Sequence, residues 1–257
     1  MGIINATPDS FSDGGRYLSP QRALEAALAM EEAGACLIDV GGESTRPGSQ
    51  PVSAEEEGGR VLPVIELLAS RLSTPISVDT SKSQVAERAL DGGAALVNDV
   101  SAGLWDPAML ETVARHRAGI ILMHTPARPE TMMENTDYQD VVGQVAEFLD
   151  QRCLQAERCG VDPEAIAVDP GIGFGKTTDQ NLSLIHAGRR LVRGRRPLVV
   201  GLSRKRFIGE VYAIADADGR DPASAEAACL AVAHGADLIR THNVRLTAAA
   251  LKVAQQG

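Results

Sequence analysis

The chain has 257 residues, 44% of them hydrophobic, enough for one large domain with a substantial core. A formal net charge of -9 excludes nucleic acid as the main partner, because phosphate binding needs a cationic surface. No apolar run is long enough to span a bilayer and no secretory leader precedes the first strand. The four cysteines (Cys36, Cys153, Cys159 and Cys229) lack metal-like spacing, so the reading is a cytoplasmic protein with reduced, buried thiols.

Strand and helix alternate from the start. Residues 2–5 read as a strand, and Ser19-Pro20 supplies the N-cap and first residue of a helix that stops at Gly34. Residues 36–40 form the second strand. Ser53-Ala-Glu-Glu56 has the spacing of a capping box and opens a helix through Val61, Val64, Ile65 and Leu68, which Pro63 should bend. Strands follow at 76–79 and 95–99, separated by a helix ending at Gly92-Gly93, and Asp106-Pro107 should start the next helix. Residues 119–124 are the fifth strand. A polar loop then leads to a long helix with Val141, Val145, Phe148 and Leu149 on one face, ending at Gly160. The sixth strand, 166–169, precedes a helix over 181–191, and the seventh, 197–201, runs into Ser203-Arg-Lys-Arg206 and a helix. Residues 224–234 make a further helix, 237–240 the eighth strand, and 245–256 the closing helix.

Eight strand–helix units in this length fit an α/β fold of the (β/α)8 TIM-barrel type, one domain over 1–257, with its active site at the C-terminal ends of the strands. An open doubly wound sheet is the competing architecture. No GxGxxG follows the first strand, and polar residues end all the strands rather than a central few, which disfavours it.

The stretch from Ile166 to Lys176 (IAVDPGIGFGK) organises the rest. A short apolar strand delivers Asp169, and a buried carboxylate is costly unless something donates hydrogens to it. The following glycines let backbone pass close to a bound molecule. The alternative is a structural Asp capping a turn. The other strand ends read Asn5, Asp39, Asp79, Asn98-Asp99, His124, Ser203-Arg-Lys205 and Arg240-Thr-His242, and in a barrel they converge on one cavity. Asp79, Asn98 and Asp169 are rich in acceptors, suited to a flat heterocycle bearing several N–H donors. Asn5, Arg46, Lys205, Arg240 and His242 are mostly cations or metal-tolerant oxygens, suited to phosphates.

Other polar residues have plainer readings. Asp39, between Ile38 and Val40, reads as a structural carboxylate that orients its neighbours. His124 has no second His or Cys nearby and does not suggest zinc. Arg189, Arg190, Arg193, Arg195 and Arg196 precede the seventh strand, on the non-catalytic face, and read as solvated surface. Ser203 lacks the GxSxG elbow and a placed base.

On these residues the chain resembles the dihydropteroate synthases, the pterin-binding family of folate biosynthesis. The segments carrying the resemblance are 2–15 (GIINATPDSFSDGG), 34–48 (GACLIDVGGESTRPG), Ser77-Val-Asp-Thr80, Asn98-Asp99, 169–176 (DPGIGFGK), Ser203-Arg-Lys205 and Arg240-Thr-His242, in the family's order and over essentially the whole chain. The resemblance implies a Mg2+-dependent condensation of 6-hydroxymethyl-7,8-dihydropterin pyrophosphate with 4-aminobenzoate, by a cytoplasmic homodimer that is a sulfonamide target. Carried over by motif, Asp169 accepts from the pterin, Asn98 and Asp79 complete that edge, and Lys205 reaches the carbonyl side. Thr45, Arg46, Arg240 and His242 hold the pyrophosphate, Phe174 counts among the substrate-binding residues, and Asn5 is a metal ligand. The first two loops, around 7–15 and 44–48, would close over the cavity and form the aminobenzoate pocket.

Three departures qualify the resemblance. The sequence begins at the first strand, where family members usually carry an N-terminal hairpin, so strand starts such as Ile3 and Leu37 are expected to be exposed at the barrel base, to be covered by upstream residues or a partner. The loop after the fifth strand reads Met123-His-Thr-Pro-Ala127 in place of the family's usual form, and Asn243 stands where Asp usually follows the His; it should cap the last helix as well. Arg204, Lys205 and Arg206 all fall at a helix start, where cations oppose the dipole; together they suggest nearby anions, and Arg206 is expected to anchor the aminobenzoate carboxylate. Three alternatives come from other classes. A methyltetrahydrofolate-dependent methyltransferase needs no pyrophosphate site, a non-catalytic pterin-binding paralogue needs no intact Thr7-Pro-Asp-Ser-Phe11 loop, and a Schiff-base aldolase on Lys205 lacks a partner acid.

Overall fold

The computed structural model describes residues 1–7 and 19–254; most of the first signature loop and the last three residues lie outside that range. Eight parallel strands form the centre: β1 (Gly2–Asn5), β2 (Ile38–Gly41), β3 (Ile76–Asp79), β4 (Leu96–Asp99), β5 (Gly119–Met123), β6 (Ile166–Asp169), β7 (Val199–Gly201) and β8 (Leu238–Arg240). β1 to β6 pair in sequence order, and β7 pairs with β8. Single bridges close the remaining gaps, Val168 to Leu198 and Gly2 to Thr241. The Val168 amide donates to Pro197 O (3.0 Å) and the Thr241 amide to Met1 O (3.0 Å). The expected (β/α)8 barrel is therefore formed and closed.

Strands buried on both faces must be apolar nearly throughout, and these are up to their last one or two residues, apart from Asp39 in β2 and Ser77 in β3. Helices wrap the outside: α1 (Pro20–Glu32), α2 (Ala54–Ala69), α3 (Ser83–Asp91), α4 (Met109–His116), α5 (Val141–Arg158), α6 (Thr178–Ala187), α7 (Arg206–Tyr212), α8 (Asp221–Ala233) and α9 (Val244–Ala254). Small residues such as Ala23, Ala27, Ala86, Ala89, Ala228 and Ala231 are fully buried where helix meets strand, which explains the alanine-rich, aromatic-poor composition.

Several boundaries differ from the sequence reading for identifiable reasons. The second strand starts at Ile38, not at 36, and Cys36 is exposed rather than buried because it lies in the turn entering the barrel base. Ser53 does cap α2, accepting from the Glu56 amide (3.1 Å), but the Glu56 carboxylate pairs with Arg60 instead of completing the box. The helix expected from Asp106-Pro107 begins at Met109, since Asp106 accepts from both the Ser83 and Ala108 amides (2.7 and 3.0 Å). A full capping box occurs at Thr177 and Gln180, so α6 starts earlier than expected and ends in a 3-10 turn over Gly188–Leu191. Asn243 caps α9 as expected, accepting from the Leu246 amide (3.1 Å). The barrel base is not open: Ile3 and Leu37 are only 7% and 6% exposed, and Met1 packs with Leu37, Ile121 and Val199 into an apolar plug. The basic run before β7 is neutralised by the chain's own acids, in the pairs Arg189–Asp237, Arg193–Asp150 and Arg196–Glu157.

Candidate active site

Strand register decides which side chains meet. Asn5 lies opposite Gly41, Gly41 opposite Asp79, and Asp79 opposite Asn98, so Asn5, Asp79 and Asn98 share one layer near the C-terminal mouth. Gly41 contributes no side chain to it, and a Cβ there would touch the Asp79 Cβ at 3.4 Å. Two strand residues below, Asp39 faces Ser77. Asp169 pairs with Met123 at the very end of β6.

Asp39 is the hub beneath the layer. It is fully buried and accepts from Ser77 Oγ (2.5 Å), Asn98 Nδ2 (3.1 Å) and Arg240 Nε (2.7 Å). Arg240 also donates to Asp79 Oδ2 (2.7 Å). The acceptors and cations that the sequence sorted into two sets thus interlock through this guanidinium. Burial works against its charge, but Asp39 and Asp79 hold its pKa above the ordinary arginine value. Desolvation pushes the Asp79 carboxyl up to about 7, with Arg240 opposing the rise. A carboxylate in this state accepts N–H bonds from a ligand while remaining sensitive to pH near neutrality.

Asp169 closes the opposite side. It is 6% exposed and accepts from the Gly171 amide (2.7 Å); burial raises its pKa, and Lys205 opposes the rise. Lys205 reaches in from the turn after β7. Its ammonium donates to Ile172 O and sits 4.6 Å from the Phe174 ring centroid, a cation–π arrangement, and burial lowers its pKa to about 8. The backbone makes this possible: Arg204 takes a left-handed φ of 61° and turns outward to Asp221 and Asp218. Of the three cations at this helix start, only Lys205 enters the barrel. Arg206 is exposed and pairs with Glu210 (3.2 Å), and it does not join the buried cluster.

His242 follows β8. Ser203 Oγ lies 3.0 Å from its Nδ1 and accepts from its amide (3.2 Å). Burial and the cations Arg240 and Arg204 lower the imidazole pKa to about 3, so it is neutral. In the tautomer where the serine hydroxyl donates to Nδ1, the imidazole proton is on Nε2 and can be donated to an anion. Ser203 is therefore an orienting group, in keeping with its missing elbow.

Thr45 and Arg46 lie in the loop after β2, half-buried and exposed respectively. That loop is pinned at its stem, where Lys82 bridges Glu43 and the fully buried Glu57 at 2.6 Å each and Arg60 donates to Gly42 O (2.7 Å). Its tip docks across the mouth, with the Gly48 amide donating to Pro129 O (2.8 Å). Beneath it lies a cavity of about 230 Å³ lined by Thr45, Asp79, Lys82, Trp105 and Arg128 among others. Asp169 and Lys205 do not line it. The first-loop segment expected to close the site lies outside the described residues beyond Thr7.

Sequence reasoning passed over Lys176, the last residue of the organising stretch. It is 2% exposed and donates to Phe174 O (2.9 Å), Gly171 O (3.0 Å) and His124 Nδ1 (3.0 Å). The only signal was a lysine ending a glycine-rich run with no assigned task. The Lys82–Glu43–Glu57 brace was missed too, since its members come from three separate segments.

With this geometry in place, comparison with known proteins is informative. Residues 1–242 match the family of pterin binding enzymes. The chain is 45% identical to the dihydropteroate synthase of Synechocystis sp. over 254 residues, covering 99% of this chain and 88% of that protein. It is also similar to the Xanthomonas albilineans dihydropteroate synthase solved with 4-aminobenzoic acid, with 44% identity, TM-score 0.93, and 99% and 91% of the two chains covered. The same enzyme in complex with 7,8-dihydropteroate gives 41% identity and TM-score 0.88 over the same shares.

Proposed function

The chain belongs to the pterin binding enzyme family, and from that premise we propose that it condenses 6-hydroxymethyl-7,8-dihydropterin pyrophosphate with 4-aminobenzoate, giving 7,8-dihydropteroate and pyrophosphate, the dihydropteroate synthase reaction. The observation that carries this reading is the set of Asp79, Asn98, Asp169, Lys205 and Arg240 at the barrel mouth, buried or half-buried, two carboxylates and two cations brought together by strand ends and the turn after β7.

In this reading Asp169 and Asn98 take the amino and ring N–H edge of the pterin, Lys205 donates to its carbonyl side, and Phe174 covers a face. The C–O bond to the diphosphate breaks, and its electron pair leaves with pyrophosphate. Asp79 and Asp169 stabilise the cation left delocalised over the pterin, and Arg240, neutral His242, Thr45 and Arg46 take the leaving group. The aminobenzoate nitrogen, neutral at pH 7, then bonds to the exocyclic carbon and loses a proton to solvent, which calls for no strong base. Arg206 stands at the rim, where the carboxylate of 4-aminobenzoate would meet it.

Among the described residues no group of three or more His, Cys, Asp or Glu side chains could hold a metal. Mg2+ keeps several waters and phosphate oxygens and needs few protein ligands, and Asn5 at the end of β1 would supply one amide oxygen to an ion arriving with its substrate. Bound there, the ion would neutralise charge on the departing diphosphate.

The whole chain, 1–257, is read as one such domain. No described helix is long and apolar enough to cross a membrane, and the four cysteines are free thiols, as suits the reducing cytoplasm. Exposed Val211 and Tyr212 on α7 and Leu230 on α8 offer apolar area for a homodimer, which sedimentation at twice the chain mass would register. Sulfonamides, as arylamines with an acidic group in the carboxylate's place, should compete with 4-aminobenzoate. The test of the reading is chemical: purified protein, Mg2+ and both substrates should yield 7,8-dihydropteroate and pyrophosphate one to one. Absence of dihydropteroate at saturating substrates would refute it.

A further inference from the structure

Lys176 is the largest fully buried side chain of the described residues, and no step of the reaction uses it. A buried ammonium is costly unless each N–H finds an acceptor. Here four acceptors surround it, Phe174 O, Gly171 O and His124 Nδ1 at 2.9, 3.0 and 3.0 Å and His124 O at 3.5 Å, and no carboxylate lies within ion-pair distance among the described residues. His124 is itself 6% exposed, with its ring edge-on to Phe148 at 4.7 Å. Burial and the neighbouring ammonium lower its pKa to about 3, so the ring is neutral and Nδ1 is free to accept. Burial likewise lowers the Lys176 pKa, to about 7, with Asp169 acting to raise it.

The loop held by this ammonium fits tightly between its neighbours. Gly171 (φ +68°) passes so close to β5 that a Cβ would lie 1.9 Å from His124 O. At Gly173 (φ +83°) a Cβ would lie 2.8 Å from Lys205 Cδ, and at Gly175 (φ +57°) 2.3 Å from Pro126 Cγ. Two parts of the pterin site hang from the same loop: the Ile172 carbonyl that accepts from Lys205, and the Phe174 ring against the Lys205 ammonium.

We propose that Lys176 is a positioning residue for pterin recognition: its ammonium ties loop 171–175 to His124 at the end of β5, and so sets where Phe174 and Lys205 stand against Asp169. The proposal rests on the pterin-binding reading above and adds two residues to it. Neither touches the substrate. Both act through the loop, with His124 the acceptor that joins it to β5.

Calorimetry with a 6-hydroxymethylpterin separates the two claims. Wild-type protein that binds no pterin overturns the functional reading itself. Given wild-type binding, Lys176→Met should weaken it at least tenfold. His124→Phe keeps the packing on Phe148 but removes the acceptor, and should weaken binding about as much. His124→Asn carries an amide oxygen where the imidazole carries Nδ1, and should retain affinity within about threefold. In steady state the losses should appear in KM for the pterin pyrophosphate, with KM for 4-aminobenzoate unchanged within twofold. If Lys176→Met does not fold, the two His124 variants decide. Equal pterin affinity in His124→Phe and wild type, or equal losses in His124→Phe and His124→Asn, overturns the proposal.

Discussion

Asp79 and Lys205 set the pH window of the site. Asp79 carries the negative charge that stabilises a pterin cation only when ionised, and burial pushes its pKa up to about 7, so its useful fraction grows as pH rises through that value. Lys205 must keep its proton to donate, and burial brings it down to about 8, so its useful fraction falls above that. The expected kcat/KM for the pterin pyrophosphate is a narrow bell with its maximum between about 7 and 8. In Asp79→Asn the acid limb should flatten while the alkaline limb stays; an unchanged acid limb would assign it to another group. Arg206 gives a weaker effect. Its guanidinium is held only by exposed Glu210, so Arg206→Ala should raise KM for 4-aminobenzoate by about two- to fivefold, as surface charge pairs contribute less than about 1 kcal/mol. A KM unchanged for both substrates leaves Arg206 as surface. At this scale Asp169 and Arg240 were legible because each ends an apolar strand, and Lys205 because it closes the Ser203-Arg-Lys205 run just after one. Lys176 was not, because a lysine after glycines looks solvated until the loop folds back over it.

Among the elements, the turn after β6 is the most constrained. Gly171 and Gly48 both have a left-handed φ, but a Cβ at Gly171 would collide with the His124 carbonyl, whereas nothing lies within 4 Å of one at Gly48. Gly48→Ala should cost about 1–2 kcal/mol of backbone strain. Gly171→Ala should cost more than about 3 kcal/mol, since strain is joined by a backbone clash. Urea unfolding of the two variants measures the difference; equal midpoints would mean that the loop is not held against β5. Element type was readable from periodicity, whereas element ends were not. Asp106 spends its carboxylate on Ser83, 23 residues back in the preceding helix, Glu56 turns to Arg60 one helical turn on instead of back to the cap, and Cys36 falls outside its strand. The inward turn of Lys205 depends on Arg204 adopting φ 61°, which Asp221 and Asp218 stabilise from 17 and 14 residues away.

For the whole molecule, the alternation of eight apolar strands with helices made the barrel legible, and polar strand ends made its functional mouth legible. Closure was not, because it rests on single bridges at Val168–Leu198 and Gly2–Thr241. The apolar plug of Met1, Leu37, Ile121 and Val199 was also hidden, since it draws on four strands or strand entries. What the barrel achieves is convergence: Asp39 on β2 orients Asn98 on β4 and Arg240 on β8, and Arg240 in turn meets Asp79 on β3. Such a network binds a donor-rich ring only if Asp169, on the opposite wall, presents acceptors alone. The decisive measurement is calorimetric titration of a 6-hydroxymethylpterin into wild type and Asp169→Asn, which replaces one acceptor by a donor in nearly the same volume. The expected result is one site per chain in the wild type and a loss of about 3–5 kcal/mol in the variant, as when one partner of a buried charged pair is removed. Equal affinity in the two proteins, each shown to be folded, would contradict the assignment of this cluster as the pterin site.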